Sequence, residues 1–266
     1  MAPRGSGRGG PIPREVQVSK TLSKLLRHNA EKEGLTLSAD GYVNLASVLA
    51  SRTLKSLKVS FEEVLQIVKD DDKQRYGLVL VDPATSATPM GTSDQHERTS
   101  LDPKDWLIRA NQGHSIKLEP EGGLLTAIDK DNMPAMAVHG TTHAKWILIR
   151  DSGGLKPMGR NHVHFASGLP AGFKDRQKAA GDETVEAPVI SGMRSSSTVL
   201  MYLDVARAIE AGLPLGTSAN GVILSEGNAE GLVPLQLFKR VEDCTRHRVL
   251  LEDGAIVKDG AQGRPS

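Results

Sequence analysis

The chain has 266 residues, and its 33 lysines and arginines against 32 aspartates and glutamates give a formal net charge of +1, which excludes a bulk polycation. Its 38% of apolar residues is enough for one large or two modest folded domains. No apolar run approaches the ~20 residues that span a bilayer, and the N-terminus lacks the apolar core of a secretory signal. The single cysteine, Cys244, excludes an internal disulfide. We therefore expect an intracellular protein of the cytoplasm or nucleus, with no membrane attachment.

The N-terminal part predicts three helices. Residues 1–13 are rich in glycine, proline and arginine and predict a disordered tail. Apolar residues recur at helical spacing over 18–26, which predicts a helix that stops before Gly34. A second, short helix is predicted after Asn44, and a third begins at Ser60 in a capping-box pattern.

Strands follow these helices. A strand is predicted at 76–81, and the polar residues 82–104 predict an inserted loop. Residues 106–110 and 115–118 then predict the two strands of a hairpin. Three helices followed by a hairpin are typical of a winged-helix domain, which we place at residues 14–118.

The second half predicts short strands alternating with short helices. Strands are predicted at 136–139, 163–166, 199–203 and 221–224, and helices after Thr142 and at 205–210. The charged residues 174–187 predict a surface insertion, and residues 248–266 predict a tail with little to pack. The pattern indicates a second domain over 119–247 with a mainly antiparallel sheet, so the fold class is α+β.

Four cationic side chains stand in contexts that leave two interpretations open. Arg27 and His28 end the first predicted helix, where positive charge complements the helix dipole. Arg109 lies in a predicted strand and is either an exposed hairpin arginine or a ligand contact. Arg194 follows a glycine and precedes serines, as in an anion-binding turn and equally in an ordinary polar turn. Gathered in one cleft, three guanidiniums and an imidazole would suit a doubly charged phosphate.

Four histidines flank predicted strands in the second half. His139 precedes Gly140, whose lack of a side chain lets a planar ligand lie against the backbone. His162 and His164 point to one face of their strand, and with His143 the four could be drawn as a metal site. No carboxylate is adjacent to either pair to support metal-bound imidazoles, so we expect no metal.

Several short sequence blocks follow one another along the chain in the order that a known family shows. The blocks are Leu25-Leu26-Arg27-His28, Gly34-Leu35, Asp40-Gly41-Tyr42-Val43, Arg109-Ala110-Asn111-Gln112-Gly113-His114-Ser115, His139-Gly140-Thr141, Asn161-His162-Val163-His164, Ile190-Ser191-Gly192-Met193-Arg194 and Ser218-Ala219-Asn220-Gly221-Val222-Ile223-Leu224. Over roughly residues 18–240 this series resembles the RNA 2′-phosphotransferase family. The chain departs from the family at Asn29-Ala30, where proline often follows the histidine, and at Tyr42, often a tryptophan.

The resemblance implies a winged-helix RNA lobe, followed by a lobe similar to the NAD-using ADP-ribosyltransferases. It implies an enzyme of the last step of tRNA splicing, which transfers the internal 2′-phosphate of ligated tRNA to NAD. The products are RNA with a 2′-hydroxyl, ADP-ribose 1″,2″-cyclic phosphate and nicotinamide. We expect NAD as co-substrate, 2′-phosphorylated RNA as partner and a monomer. The implied catalytic set is Arg27, His28, Arg109 and Arg194; the implied NAD contacts are His139, Gly140, Thr141, His164, Asn220 and Gly221; and Lys20 and Lys24 join Arg27 and His28 in RNA binding.

Three other classes of protein remain to be distinguished. An ADP-ribosyltransferase that modifies nucleic-acid ends or protein would use the same NAD lobe and stop at the intermediate. A non-catalytic RNA-binding module would leave NAD unhydrolysed. A phosphoesterase with a metal held by the four histidines would need no NAD.

Overall fold

The computed structural model describes residues 11–81, 100–118, 122–169, 192–193 and 196–257, and the chain divides into two compact units. Unit 1 comprises Met1–Asp71 and Arg75–Ala110, and unit 2 comprises Asp72–Gln74 and Asn111–Ser266. Residues 111–118, which the sequence assigns to the N-terminal lobe, therefore make their contacts with unit 2. No helix in the described part of the chain is long and apolar enough to cross a membrane.

Unit 1 packs short helices beside a three-stranded antiparallel sheet of order β1-β3-β2. Its elements are α1 (Arg14–Lys24), β1 (Val43–Asn44), α2 (Leu45–Ala50), α3 (Arg52–Ser56), α4 (Phe61–Lys69), β2 (Tyr76–Leu80) and β3 (Trp106–Ala110). The two predicted helix starts at Asn44 and Ser60 are confirmed. The Asn44 side chain accepts from the backbone N–H of Ala46 at 3.0 Å, and the Ser60 hydroxyl accepts from that of Glu63 at 3.2 Å.

Helix α1 continues without a break into a π-helical turn, Leu25–Asn29. Leu25 and Leu26 are buried in the unit and anchor the turn. On the other side of α1, the hydroxyl of Tyr76 in β2 donates to the backbone oxygen of Ser19 at 2.6 Å. The helix is therefore held against the sheet both by apolar burial and by a polar contact.

The described residues of unit 2 form antiparallel strands and two α-helices. Its elements are β4 (Leu125–Ala127), β5 (Val138–Thr141), α5 (His143–Asp151), β6 (Gly154–Leu155), β7 (Val163–Phe165), β8 (Val199–Leu203), α6 (Val205–Glu210), β9 (Gly216–Ser218), β10 (Ile223–Ser225), β11 (Val233–Pro234), β12 (Phe238–Asp243), β13 (Arg248–Glu252) and β14 (Ala255–Ile256). The described sheets have the orders β14-β13-β12-β8-β5, β4-β9-β10-β7 and β11-β6. A single bridge between Val138 and Ala166 links β5 to the end of β7.

The core of unit 2 lies against β8. All five residues of this strand are buried, because β5 and β12 pair on its two edges and an apolar cluster covers each of its two faces. Phe165, Phe238 and Trp146 pack into the same cluster as Met201. Burying a side chain of this size contributes roughly 1.5–3 kcal/mol, so β8 is the natural centre of the unit. The predicted α+β class with mainly antiparallel sheet is confirmed.

Two predictions about strands are wrong. Residues 115–118, all within the described part of the chain, form no strand, and β3 pairs with β1 and β2 instead. Asn161 replaces the predicted strand partner, since its backbone N–H donates to His114 O at 3.0 Å and its side chain to Ile116 O at 2.7 Å. Residues 248–256 are not part of a tail, because they form β13 and β14 and bury Leu251 completely.

Other predictions fall partly or wholly outside the described residues. These are the tail at residues 1–10, the insertions at 82–99 and 174–187, and the last residues from 258 onward.

Candidate active site

The first functional pair lies in the π-helical turn Leu25–Asn29. Arg27 and His28 are half-buried there, and the Nε and Nη2 atoms of Arg27 are buried. A π turn widens the helix and changes the direction in which successive side chains point, and such turns are frequent at functional sites. The pair therefore stands at a helix end, as the sequence indicates, but not in an ordinary α-helical last turn.

Arg109 of β3 is held by groups of its own unit. Its Cζ atom lies 4.6 Å from the centroid of the Tyr42 ring, and its Nη1 donates to the backbone oxygen of Asp40 at 3.0 Å. Gly41, at a φ of 82°, makes the tight turn that presents this oxygen, and Ser38 Oγ closes the turn by accepting from Tyr42 N at 2.9 Å. The buried Nε of Arg109 has no hydrogen-bond acceptor among the described residues.

Unit 1 brings these three side chains onto neighbouring elements. The π-helical turn that carries Arg27 and His28 packs against β3, which carries Arg109. Positive charge is costly to bury unless it meets an acceptor or an anion. The structure places two guanidiniums and an imidazole on touching elements, and their joint binding of a doubly charged phosphate stays a prediction.

Arg194 lies outside the described residues, but its chain neighbours are placed. A Cβ atom added to Gly140 would lie 2.5 Å from Met193 Cγ and 2.5 Å from Ser197 Oγ. Gly192, just before Met193, has a φ of 102°, which other residues rarely adopt. Met193 and Ser197 therefore occupy the space beside Gly140 that a side chain would need, and only glycine leaves them room there.

His139 and His164 are linked on neighbouring strands. His139 Nδ1 lies 2.9 Å from the backbone oxygen of His164, so its Nδ1–H donates to that oxygen, and in the neutral ring Nε2 carries the lone pair. The ring of His139 also meets Phe165 edge to face, with 6.1 Å between ring centroids. The contacts define both the tautomer and the orientation of His139.

His164 is neutral at physiological pH. Burial, with a smaller contribution from the charge of Arg160, lowers its pKa to about 3. Its Nδ1–H donates to the backbone oxygen of His162 at 2.9 Å, and its Nε2 lies 2.8 Å from the amide of Gln112. The atom that the structure places beside Nε2 is Gln112 Oε1; a neutral ring that donates at Nδ1 accepts at Nε2, so the neutral state requires the Gln112 amide to be flipped from this orientation.

The remaining residues assigned to NAD form backbone features. Thr141 is buried and pairs with β8, whereas Asn220 and Gly221 form the turn between β9 and β10. Gly221 has a φ of 75°, and its N–H donates to Ser218 O at 2.9 Å. Asn220 Nδ2 donates to the backbone oxygen of Lys73 at 3.0 Å. Their contact with NAD stays a prediction.

Polar side chains that the sequence reasoning left without a role hold residues 111–116. Asn111 Nδ2 donates to the backbone oxygen of Gln74 at 2.8 Å, and Asn161 and Gln112 make the contacts given above. Amide side chains with specific hydrogen-bond partners rigidify a segment that forms no strand of its own. The run of polar residues at 111–115 is the sequence feature from which this structural role could have been predicted.

The last predicted site residues are the two lysines assigned to RNA binding and the four histidines considered for a metal site. Lys20 and Lys24 are exposed on α1, and their contact with RNA stays a prediction. His143 pairs with Asp243 rather than with another histidine. In the part of the chain that the structure describes, no group of three or more His, Cys, Asp or Glu side chains is arranged to hold a metal ion.

Residues 13–227 match the family described as RNA 2'-phosphotransferase, Tpt1 / KptA family. The chain belongs to the RNA 2′-phosphotransferase family. Human tRNA 2'-phosphotransferase 1 is 37% identical to it over 239 residues, which cover 88% of this chain and 79% of the human protein. The mouse protein of the same name is 38% identical over 242 residues, covering 89% and 82%. The tRNA 2'-phosphotransferase of Saccharomyces cerevisiae is 35% identical over 231 residues, covering 86% and 84%.

Membership confirms the resemblance drawn from the sequence blocks. The match to the RNA 2′-phosphotransferase family ends at residue 227, whereas strands β12 to β14 continue the sheet beyond it.

Proposed function

We propose that this chain removes the internal 2′-phosphate from the splice junction of ligated tRNA by transferring it to NAD. The observation that carries the proposal is family membership together with Arg27, His28 and Arg109 on touching elements of unit 1. Relatives named tRNA 2'-phosphotransferase support tRNA as the RNA.

In the first step, the RNA 2′-phosphate attacks C1″ of the nicotinamide ribose and nicotinamide leaves as a neutral molecule. The step needs no strong acid, so its main demand is alignment, and well-oriented reactants recover ~7–11 kcal/mol of barrier. Arg27 and Arg109 grip the phosphate oxygens, and guanidiniums can do so bidentately, which lysine cannot. Tyr42 and the Asp40 carbonyl limit the orientations that Arg109 adopts.

In the second step, the ribose 2″-hydroxyl attacks the transferred phosphate and the RNA 2′-oxygen departs. Negative charge grows on the phosphoryl group, and Arg194 with Arg109 stabilises it. A donor of this kind is commonly worth about 3–4 kcal/mol. His28 either protonates the departing oxygen or holds the phosphate, and general acid help amounts to roughly 10²–10⁴-fold.

The NAD end of the proposal rests on unit 2. His139, Gly140 and Thr141 contact the nicotinamide ribose. The residues His164, Asn220 and Gly221 either contact NAD as well or form the wall of its pocket. The hydrogen bond from His139 Nδ1 to the backbone oxygen of His164 fixes the ring of His139 beside Gly140, which supports its role as a positioned contact. We assign unit 1 as a winged-helix RNA lobe and unit 2 as an ADP-ribosyltransferase-like lobe; the helices and small antiparallel sheet of unit 1 support the first assignment.

The test is incubation with an RNA oligonucleotide that carries one internal 2′-phosphate, with and without NAD. We expect 2′-hydroxyl RNA, nicotinamide and ADP-ribose 1″,2″-cyclic phosphate only when NAD is present. The control substrate is the same oligonucleotide with a 5′-phosphate and no 2′-phosphate. Loss of the 2′-phosphate without NAD contradicts the proposal, and ADP-ribose that stays on the RNA identifies an ADP-ribosyltransferase instead.

A further inference from the structure

A histidine, an aspartate and an arginine form a closed cluster at the start of α5. His143 Nδ1–H donates to Asp243 Oδ2 at 3.0 Å, and Arg246 Nη1 donates to His143 Nε2 at 3.0 Å. The other carboxylate oxygen, Oδ1, accepts from Thr245 Oγ1 at 2.6 Å and from the backbone N–H of Arg246 at 3.0 Å. Both nitrogens of the imidazole and both oxygens of the carboxylate therefore have partners.

The carboxylate at the centre is buried. The Asp243 side chain has 0% exposure, while that of His143 has 28% and that of Arg246 has 56%. Burial alone raises the pKa of Asp243, but hydrogen bonds from Thr245, Arg246 and His143 outweigh it, so the pKa lies below its usual value. An ionised carboxylate in such a place is stable only with these partners, so they are strongly coupled to it.

The cluster connects the β5–α5 junction to the end of β12, the central strand of the five-stranded sheet. Thr141 of β5 pairs with Val199 of β8, and Val199 pairs with Asp243 of β12, so the three residues form one row. His143 follows Thr141 by two positions and returns to the end of that row. Thr142 precedes α5, but within the described residues its side chain makes no capping hydrogen bond. The contact between His143 and Asp243 is therefore a principal polar anchor of this junction.

We propose that His143, Asp243 and Arg246 form a clamp of positioning residues. This clamp holds the β5–α5 junction so that His139, Gly140 and Thr141 keep the arrangement that receives NAD. The inference rests on the proposed function of the same strand. Asp243 and Arg246 lie beyond residue 227, where the family match ends. None of the three residues needs to touch the substrates.

The experiment compares His143→Ala, His143→Asn and Arg150→Ala. Alanine removes both contacts of His143, whereas the Nδ2 of asparagine can take the place of Nδ1 and donate to Asp243. Arg150→Ala is the matched control, since Arg150 lies on the same helix and pairs only with its exposed neighbour Asp151 in the described contacts. The readouts are the Kd of NAD by calorimetry without RNA, and the KM of NAD and of the 2′-phosphorylated oligonucleotide in turnover.

We expect His143→Ala to raise the Kd and KM of NAD about tenfold, equivalent to ~1.4 kcal/mol. The KM of the RNA should not change, and His143→Asn and Arg150→Ala should stay near the wild type. Wild-type NAD affinity in His143→Ala overturns the proposal. If that variant does not fold, Arg246→Ala decides, since it removes an exposed member: NAD binding weaker by about threefold supports the clamp, and unchanged binding overturns it.

The two proposals fail in different ways. If the wild-type protein binds no NAD, the proposed function and the clamp both fail. If the wild type binds NAD and releases the RNA 2′-phosphate while His143→Ala does the same with equal affinity, only the clamp fails.

Discussion

The guanidinium of Arg109 lies over the ring of Tyr42, with 4.6 Å from Cζ to the ring centroid, and its Nη1 donates to Asp40 O. The Tyr42 ring thus covers one face of the guanidinium, and the Asp40 carbonyl binds one of its nitrogens; both groups belong to unit 1. Burial raises the pKa of Tyr42, while the charge of Arg109 acts in the opposite direction, and the ring stays neutral at physiological pH. The aromatic face, rather than the identity of the aromatic residue, is what Arg109 contacts, so tyrosine can stand where the family often has tryptophan.

The first prediction concerns this aromatic face. Tyr42→Leu should lower kcat/KM for 2′-phosphorylated RNA by roughly 5–30-fold, because a partly desolvated cation–π contact is worth ~1–2 kcal/mol. Tyr42→Phe is the matched control and should stay within about threefold of the wild type, since it keeps the ring. If the leucine variant is as active as the wild type, Tyr42 does not orient Arg109 for catalysis.

Gly140 should not accept any side chain. Gly140→Ala places a methyl group 2.5 Å from Met193 Cγ and Ser197 Oγ, and such overpacking costs about 1–3 kcal/mol. We expect a lower midpoint of urea unfolding and weaker NAD binding. Gly159→Ala is the control, because its Cβ would meet no described atom within 4 Å. An unfolding midpoint equal to that of the control would contradict the close approach.

Arg194 should act in the second chemical step. Arg194→Ala removes positive charge where the transferring phosphoryl group becomes more negative, so RNA carrying ADP-ribose on its 2′-phosphate should accumulate. A denaturing gel of labelled RNA detects this species, and Arg150→Ala serves as a control arginine variant. Wild-type turnover by Arg194→Ala would falsify the assignment.

Lys20 and Lys24 should contribute to RNA affinity without contributing to chemistry. The double variant Lys20→Gln, Lys24→Gln removes two exposed charges from α1, so the salt dependence of binding should decrease by about 1.4 in log–log slope. Fluorescence anisotropy at several salt concentrations measures this slope. Lys69→Gln, at the exposed end of α4, is the control. If the slope of the double variant equals that of the wild type, the RNA does not contact Lys20 and Lys24.

His164 should make the stability of unit 2 depend on pH. Its pKa in the folded protein is about 3, against an ordinary 6.5, so below pH 6.5 the unfolded chain binds a proton that the folded chain does not. Its contribution to stability is complete above pH 6.5 and decreases by up to ~1.4 kcal/mol per pH unit as the pH falls toward 3. His164→Asn should reduce the pH dependence of the unfolding free energy by about one proton. Parallel pH profiles for the wild type and His164→Asn would contradict the neutral, buried imidazole.

The predictions from sequence succeeded where the signal is local. Helix starts at Asn44 and Ser60 depend on a side chain that caps a backbone N–H two or three residues away, so the pattern contains its own partner. The strand Val199–Leu203 is a continuous apolar run, which indicates burial whatever its neighbours are. Residues 115–118 misled the prediction because Asn161, far along the chain, donates to the backbone oxygen of Ile116, where the prediction expected a strand partner.

The sequence by itself determined the α+β class and, through its ordered motifs, the RNA 2′-phosphotransferase family. Only the tertiary structure decided that Arg27 and His28 stand in a π-helical turn against β3, that residues 248–256 complete a sheet, and that His143 pairs with Asp243. These outcomes depend on contacts between residues as many as 100 positions apart. Such contacts leave no periodicity or spacing in the sequence, because burial and hydrogen bonding select partners by proximity in space.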